Sequence, residues 1–238
     1  MKTNSFNEWD KLQTVVVGNG FSENLPAIDM SFRLFFHDNI KDYKGRGYEY
    51  GANKINKRYV SEMNEDVDNF VTLLKELGIE VLRPEVPDKI TNTKTPYWSS
   101  TNHNALNVRD MTMIVGDRII ESSPICRYRY FENDLMKKIF YKLFNDGAQW
   151  LKSPTPMMHD KSFDLSYANK TVSVDPNAEF EMMWDAAQCM RLGTDILFNC
   201  STENHRLGAK WLQRTLGDQY TVHIMSVCDN HIDLTIVP

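Results

Sequence analysis

Two periods of apolar residues run along the chain, and the switches between them mark its elements. Residues 12–17 (LQTVVV) are a β-branched apolar run closed by Gly18-Asn19-Gly20, which predicts a strand entering a turn. From 21 to 59 the period is lost. Aromatics, charges and glycines mix there, as in FRLFFHDNIKDYKGRGYEYGANK, and predict a long insertion carrying one short helix. Such a segment serves as a binding loop or lid, or simply decorates the surface. Over 60–77 the apolar residues Val67, Phe70, Val71, Leu73, Leu74 and Leu77 share one face of a helix, which Gly78 ends; 79–82 follows as a strand.

The same order then returns. Helical periods at 130–144 and 204–216 are each followed by a glycine turn and an extended run, at 149–151 and 220–225. Paired strands precede both helices: 112–115 with 118–121, and 171–174 with 195–198. A β-β-α-β grouping therefore recurs at roughly sixty residues, which predicts stacked or radially arranged modules in place of a doubly wound sheet. An ordinary α+β domain is the alternative. Neither GxGxxG nor a P-loop is present to support nucleotide binding.

Composition narrows the class. The 238 residues are 42% hydrophobic and 25% charged, enough for one domain with a real core. Net charge is −5 with both signs interspersed, which argues against nucleic acid as a partner. The opening MKTNSFNEWDKLQ lacks the apolar run of a secretory signal, and no stretch is long enough to span a membrane. Cys126, Cys189, Cys200 and Cys228 form no CxxC pair and no disulfide framework, which predicts a reducing, cytoplasmic setting.

Three polar clusters stand out from this background. Asp110 lies just before the strand at 112–115, where it can meet a cation or close a turn through backbone amides. Asp185 follows Trp184 and precedes a short helical run ending at Gly193. It is either an N-cap or a carboxylate set against an aromatic, suited to a flat cation. His231 and Asp233 are two apart in a stretch that alternates like a strand, so both side chains are expected on one face. Several carboxylates and a histidine without HExxH spacing imply no metal and suggest a guanidinium, which carboxylates match bidentately. The usual chemistry at a guanidinium carbon is attack by a thiolate, with histidine moving protons.

With these residues in view the sequence resembles the amidinotransferases, both the glycine and the inosamine-phosphate enzymes. The likeness rests on 104–132 (NALNVRDMTMIVGDRIIESSPICRYRYFE), 180–199 (FEMMWDAAQCMRLGTDILFN), 204–227 (NHRLGAKWLQRTLGDQYTVHIMSV) and 231–236 (HIDLTI). Residues 7–20 (NEWDKLQTVVVGNG) look like the family's opening strand, and the likeness is weakest over 21–59. The resemblance implies an α/β pentein propeller of ββαβ modules, a single domain over 1–238 with 21–59 as a family-variable insertion. It implies that L-arginine gives its amidino group to a cysteine, releasing ornithine, and that an acceptor amine then takes the group without a cofactor. By motif, Asp185 and His231 match the catalytic acid and the general acid/base, and Asp110 and Asp233 match substrate carboxylates.

The family's nucleophilic cysteine lies in a last module beyond the His-Ile-Asp stretch, so the chain looks like a propeller lacking its final module. Cys228 is the nearest thiol, but a strand would place it on the face opposite His231, which leaves the nucleophile unassigned. Apolar strand edges left without that module invite association, which keeps a homo-oligomer open. Two other functions stay open: a hydrolase of the same fold that deiminates arginine or a related guanidine, and a non-catalytic guanidinium-binding protein. The acceptor is equally open among glycine, a longer ω-amino acid, an inosamine phosphate and a polyketide-pathway amine.

Overall fold

The computed structural model of the protein describes residues 2–20, 22, 29–36, 54–87, 92–166, 178–229 and 231–236. The chain folds as two compact units: Lys11–Val108 with Cys126–Tyr141, and Met1–Asp10 with Arg109–Ile125 and Lys142–Pro238.

The first unit opens on β1 (Thr14–Val16), the apolar run expected there, and α1 (Met30–Phe36) is a short helix within 21–59. Most of that insertion lies outside the described residues. Helix α2 (Lys57–Glu76) starts at Asn56, whose side chain accepts a hydrogen bond from the Arg58 amide, and ends where Gly78 takes φ +78°. Strand β2 (Glu80–Leu82) returns parallel to β1 and packs against α2. Two strands of three residues cover only part of the helix stripe. Val71 and Leu74 are buried, while Phe70, Leu73 and Leu77 remain more than half exposed. A hairpin of β3 (Asn92–Lys94) and β4 (Ser99–Thr101) completes the strands of this unit among the described residues.

The second unit begins with a single helical turn, α3 (Val108–Met111), which runs directly into β5 (Thr112–Val115). Strand β6 (Arg118–Glu121) pairs antiparallel with β5, and β7 (Gln149–Lys152) pairs parallel with β6. The connection carries α4 (Lys137–Asn145), shorter than the helix predicted over 130–144. Its predicted first turns are two 3-10 turns, Arg127–Arg129 and Glu132–Met136. Buried Arg129 and Glu132 meet there at 2.6 Å as an i,i+3 pair, the spacing that three residues per turn brings into line.

A second grouping repeats the order. Strands β8 (Cys189–Leu192) and β9 (Asp195–Asn199) are antiparallel, α5 (Glu203–Leu216) crosses over, and β10 (Thr221–Met225) lies parallel to β9. The predicted partner of β9 was 171–174, which lies outside the described residues. The observed partner is β8, in the stretch read as helical from Ala186 to Gly193. Tertiary pairing overrides local preference here: Ala-Ala-Gln-Cys-Met-Arg-Leu favours a helix, but Cys189 and Met190 are buried against β9, and Gly193 turns the hairpin at φ +76°.

The core of this unit draws on both groupings, with Met113, Val115 and Ile120 from one and Trp184, Ile196, Phe198, Leu212 and Tyr220 from the other. The amino-terminal segment laces them together. Ser5 exchanges backbone hydrogen bonds with Gly116 at the β5–β6 turn, and Gly193 at the β8–β9 turn donates to the Phe6 carbonyl. No helix among the described residues is long and apolar enough to cross a membrane.

Candidate active site

Asp185 reaches its position through Trp184. The Trp184 amide donates to the Ser123 carbonyl at 2.8 Å, and its indole N–H donates to Ser153 Oγ at 3.2 Å. The ring is fully buried beside Phe198, and α5 presses on it at Gly208. A Cβ on Gly208 would stand 2.4 Å from Trp184 Cδ1, so the glycine is there for close approach. Asp185 then opens the 3-10 turn Ala186–Gln188, and its amide donates to Gln188 Oε1 at 3.0 Å. Asp185 thus takes the N-cap position, one of the two readings its sequence context allowed.

His231 does not sit on a strand. It precedes a 3-10 turn, Ile232–Leu234, whose amide bonds are local: Thr235 and Ile236 both donate to the Ile232 carbonyl at 2.9 Å. The alternation of HIDLTI is therefore not used as a sheet pattern. Ile232 is fully buried while Leu234 is exposed. Loss of the strand also removes the reason for placing Cys228 on the opposite face. Its Sγ lies 3.6 Å from the His231 carbonyl oxygen, beside the backbone of that residue.

The imidazole stands between two carboxylates. Nε2 is 3.0 Å from Asp185 Oδ2, and Nδ1 is 3.8 Å from Asp110 Oδ1. Side-chain exposure rises from 1% at Asp185 through 8% at His231 to 13% at Asp110, so Asp185 is the most deeply buried of the three. Asp233 lies on the exposed side. Its carboxyl is nevertheless held above the usual carboxylate range by partial desolvation, with Asp110 and Glu8 adding and Arg109 and His231 opposing. Asp185, His231 and Asp110 therefore meet in one place, and Asp233 is close enough to feel the charges of His231 and Asp110.

Sequence reasoning passed over the residues that brace them. Arg109 donates from both terminal nitrogens to the carbonyls of Ala186 and Cys189, across the turn that follows Asp185. Glu8 pairs with Arg191 at 2.7 Å and with Arg109 at 3.5 Å. Burial raises the Glu8 carboxyl, but the Arg191 contacts and the two guanidinium charges outweigh it and leave it below its ordinary 4.5. Arg109 was visible as the neighbour of Asp110; nothing local marks Glu8. Behind Asp185 lies His205, whose own burial pushes its pKa down to about 4, with His231 adding and the Asp185 and Asp164 carboxylates opposing.

Burial raises Cys189 far above its usual value and Cys200 to about 11, and Cys126 is buried. Among the described residues no group of three or more His, Cys, Asp or Glu could hold a metal ion.

No family model matches the sequence. Individual relatives do. The chain is 32% identical to the mitochondrial glycine amidinotransferase of Xenopus tropicalis, over 97% of its own length and 57% of that protein. It is 32% identical to the L-arginine:L-lysine amidinotransferase of Pseudomonas savastanoi pv. phaseolicola, over 98% of its length and 66% of that protein. The solved inosamine-phosphate amidinotransferase of Streptomyces griseus superposes with a TM-score of 0.82 at 32% identity, over 99% of this chain and 66% of the other. The chain thus spans between about half and two thirds of the length of the relatives it matches.

Proposed function

The chain belongs to the amidinotransferase family, and on that premise we propose that it takes part in moving the amidino group of L-arginine to an acceptor amine. The observation that carries this reading is His231 held between the carboxylates of Asp185 and Asp110, with Asp233 beside them. Asp110 and Asp233, nearer solvent, receive the guanidinium by charge-assisted hydrogen bonds. Asp185, the most buried of the three carboxylates, meets the guanidinium from the buried side and orients the imidazole.

The chemistry runs in two displacements. A thiolate adds to the guanidino carbon and forms a C–S bond. The bond from that carbon to arginine Nε breaks as His231 delivers a proton to that nitrogen, and ornithine leaves. An acceptor amine then adds to the same carbon and gives a proton to His231, and the C–S bond breaks to return the thiolate. Three of the four cysteines are poor sources of that thiolate, since Cys189 and Cys200 are raised by burial and Cys126 is enclosed, and the fourth, Cys228, turns its Sγ to the His231 carbonyl oxygen. We place the nucleophile in the additional length that the relatives carry. The names of the relatives, which specify glycine, lysine and an inosamine phosphate, leave the acceptor open between an amino acid and an aminocyclitol.

The same raised thiols favour a second reading, in which the protein binds guanidinium compounds without turning them over. Incubation with arginine and glycine, followed by mass spectrometry, separates the two. On the transferase reading the 238-residue chain forms no amidino adduct on Cys126, Cys189, Cys200 or Cys228, and a version with the relatives' additional length releases ornithine. No ornithine from the longer version supports the binding reading. An adduct on Cys228 with matching ornithine would overturn the placement of the nucleophile.

A further inference from the structure

A buried chain of amides links Asp185 to His231 from behind. The Asp185 N–H donates to Gln188 Oε1, and Gln188 Nε2 donates to the Asn199 backbone carbonyl at 3.2 Å and to His205 Nδ1 at 2.7 Å. These partners fix the orientation of the Gln188 amide, because a backbone N–H meets only its oxygen and a backbone carbonyl only its nitrogen. His205 Nδ1 is consequently an acceptor, and it also receives the Ser201 N–H at 3.3 Å.

Asn199, the last residue of β9, is fully buried and works in both directions. Its carbonyl takes the Gln188 bond. Its side-chain Oδ1 accepts from the amides of Val227 (3.0 Å) and Cys228 (3.4 Å), while Nδ2 donates to the Cys228 carbonyl at 2.9 Å. Ser201 Oγ adds a bond to the Asp229 carbonyl. Asn199 therefore pins the segment that leads into His231, and through Gln188 it pins the turn that carries Asp185. The circuit closes at the Nε2–Oδ2 contact of 3.0 Å.

We propose that Asn199 is a positioning residue: its side chain and carbonyl together set the approach of the His231 imidazole to the Asp185 carboxylate. This rests on reading that pair as the proton-handling centre, but its test does not need arginine. A side chain of this size with both a donor and an acceptor is required. Alanine removes the three hydrogen bonds that the Asn199 side chain makes to the backbone of 227–228, and aspartate sets a carboxylate oxygen against the Cys228 carbonyl.

The test reads the His231 ring nitrogens by NMR in imidazole-labelled protein, with the signals assigned from a His231→Gln variant. Asp185→Asn calibrates the displacement produced by loss of the contact. Asn199→Ala is expected to move the His231 Nε2 signal in the same direction by at least half as much. Asn199→Asp, which keeps the side-chain volume, is expected to move it the same way, and it carries the test if the alanine variant does not fold. Leu212→Ala, in the buried core, is the control for general loosening; it is expected to lower stability and leave the signal in place. An unmoved signal in both Asn199 variants overturns the proposal, as does an equal shift in Leu212→Ala. Arginine binding that ignores Asp185→Asn, with the signal shifts intact, would defeat the functional reading and leave this one standing.

Discussion

At the scale of single residues, the candidate site is a balance of charges at graded depth. His205 feels the charge of the Asp185 carboxylate, yet its pKa is pushed down to about 4 because burial opposes its charged form. The neighbouring His231 meets the same carboxylate directly, with Nε2 3.0 Å from Asp185 Oδ2. Glu8 shows how the surroundings of the site are held. Its folded pKa lies below its ordinary 4.5, so its contribution to stability is present above that value and fades as pH falls through the depressed one. Glu8→Gln should cost about 1–2 kcal/mol at neutral pH, because solvent screening at this partly exposed carboxylate reduces the ~1.5–3 kcal/mol of a hydrogen bond to a charged group. The two proteins should converge well below pH 4.5, as followed by urea denaturation across the titration. An undiminished gap in acid would mean that Glu8 acts through packing and not charge. Asp110, Asp185, His231 and Asp233 were legible in the sequence because each stands out against an apolar or strand-like context. Glu8, Gln188 and Asn199 were not, because their partners are brought to them by the fold from distant parts of the chain.

At the scale of elements, the contact that positions Asp185 is a helix pressed onto an indole. Gly208 in α5 meets Trp184 so closely that a methyl group has no room. Alanine is the better helix former by about 1 kcal/mol, yet overpacking of this kind costs about 1–3 kcal/mol, so Gly208→Ala should be destabilising on balance. Thermal unfolding reads this directly, and a stabilised variant would show that α5 can move away freely. The β5–β6 hairpin and α5 could be read from period alone, since their apolar residues are buried as the period demands, whereas β10 was read as a strand although it buries none of its residues. β8 could not: its composition favours a helix, and only pairing with β9 makes it a strand. HIDLTI failed in the opposite sense, with strand-like alternation in a segment whose hydrogen bonds close locally.

At the scale of the whole molecule, the chain matches solved amidinotransferase structures over nearly all of its own length while spanning 66% of theirs. The guanidinium site and the transfer reaction are therefore separable claims, and the site is the central one. Isothermal titration of the 238-residue protein with L-arginine tests it most directly. Charge-assisted contacts do not need a thiol, so the chain should bind arginine. Asp110→Asn and Asp185→Asn should each weaken binding by about tenfold or more, the equivalent of one charged hydrogen bond, while Glu76→Gln on the exposed end of α2 should not. Equal affinity in all three variants would contradict the assignment of these carboxylates to a guanidinium site.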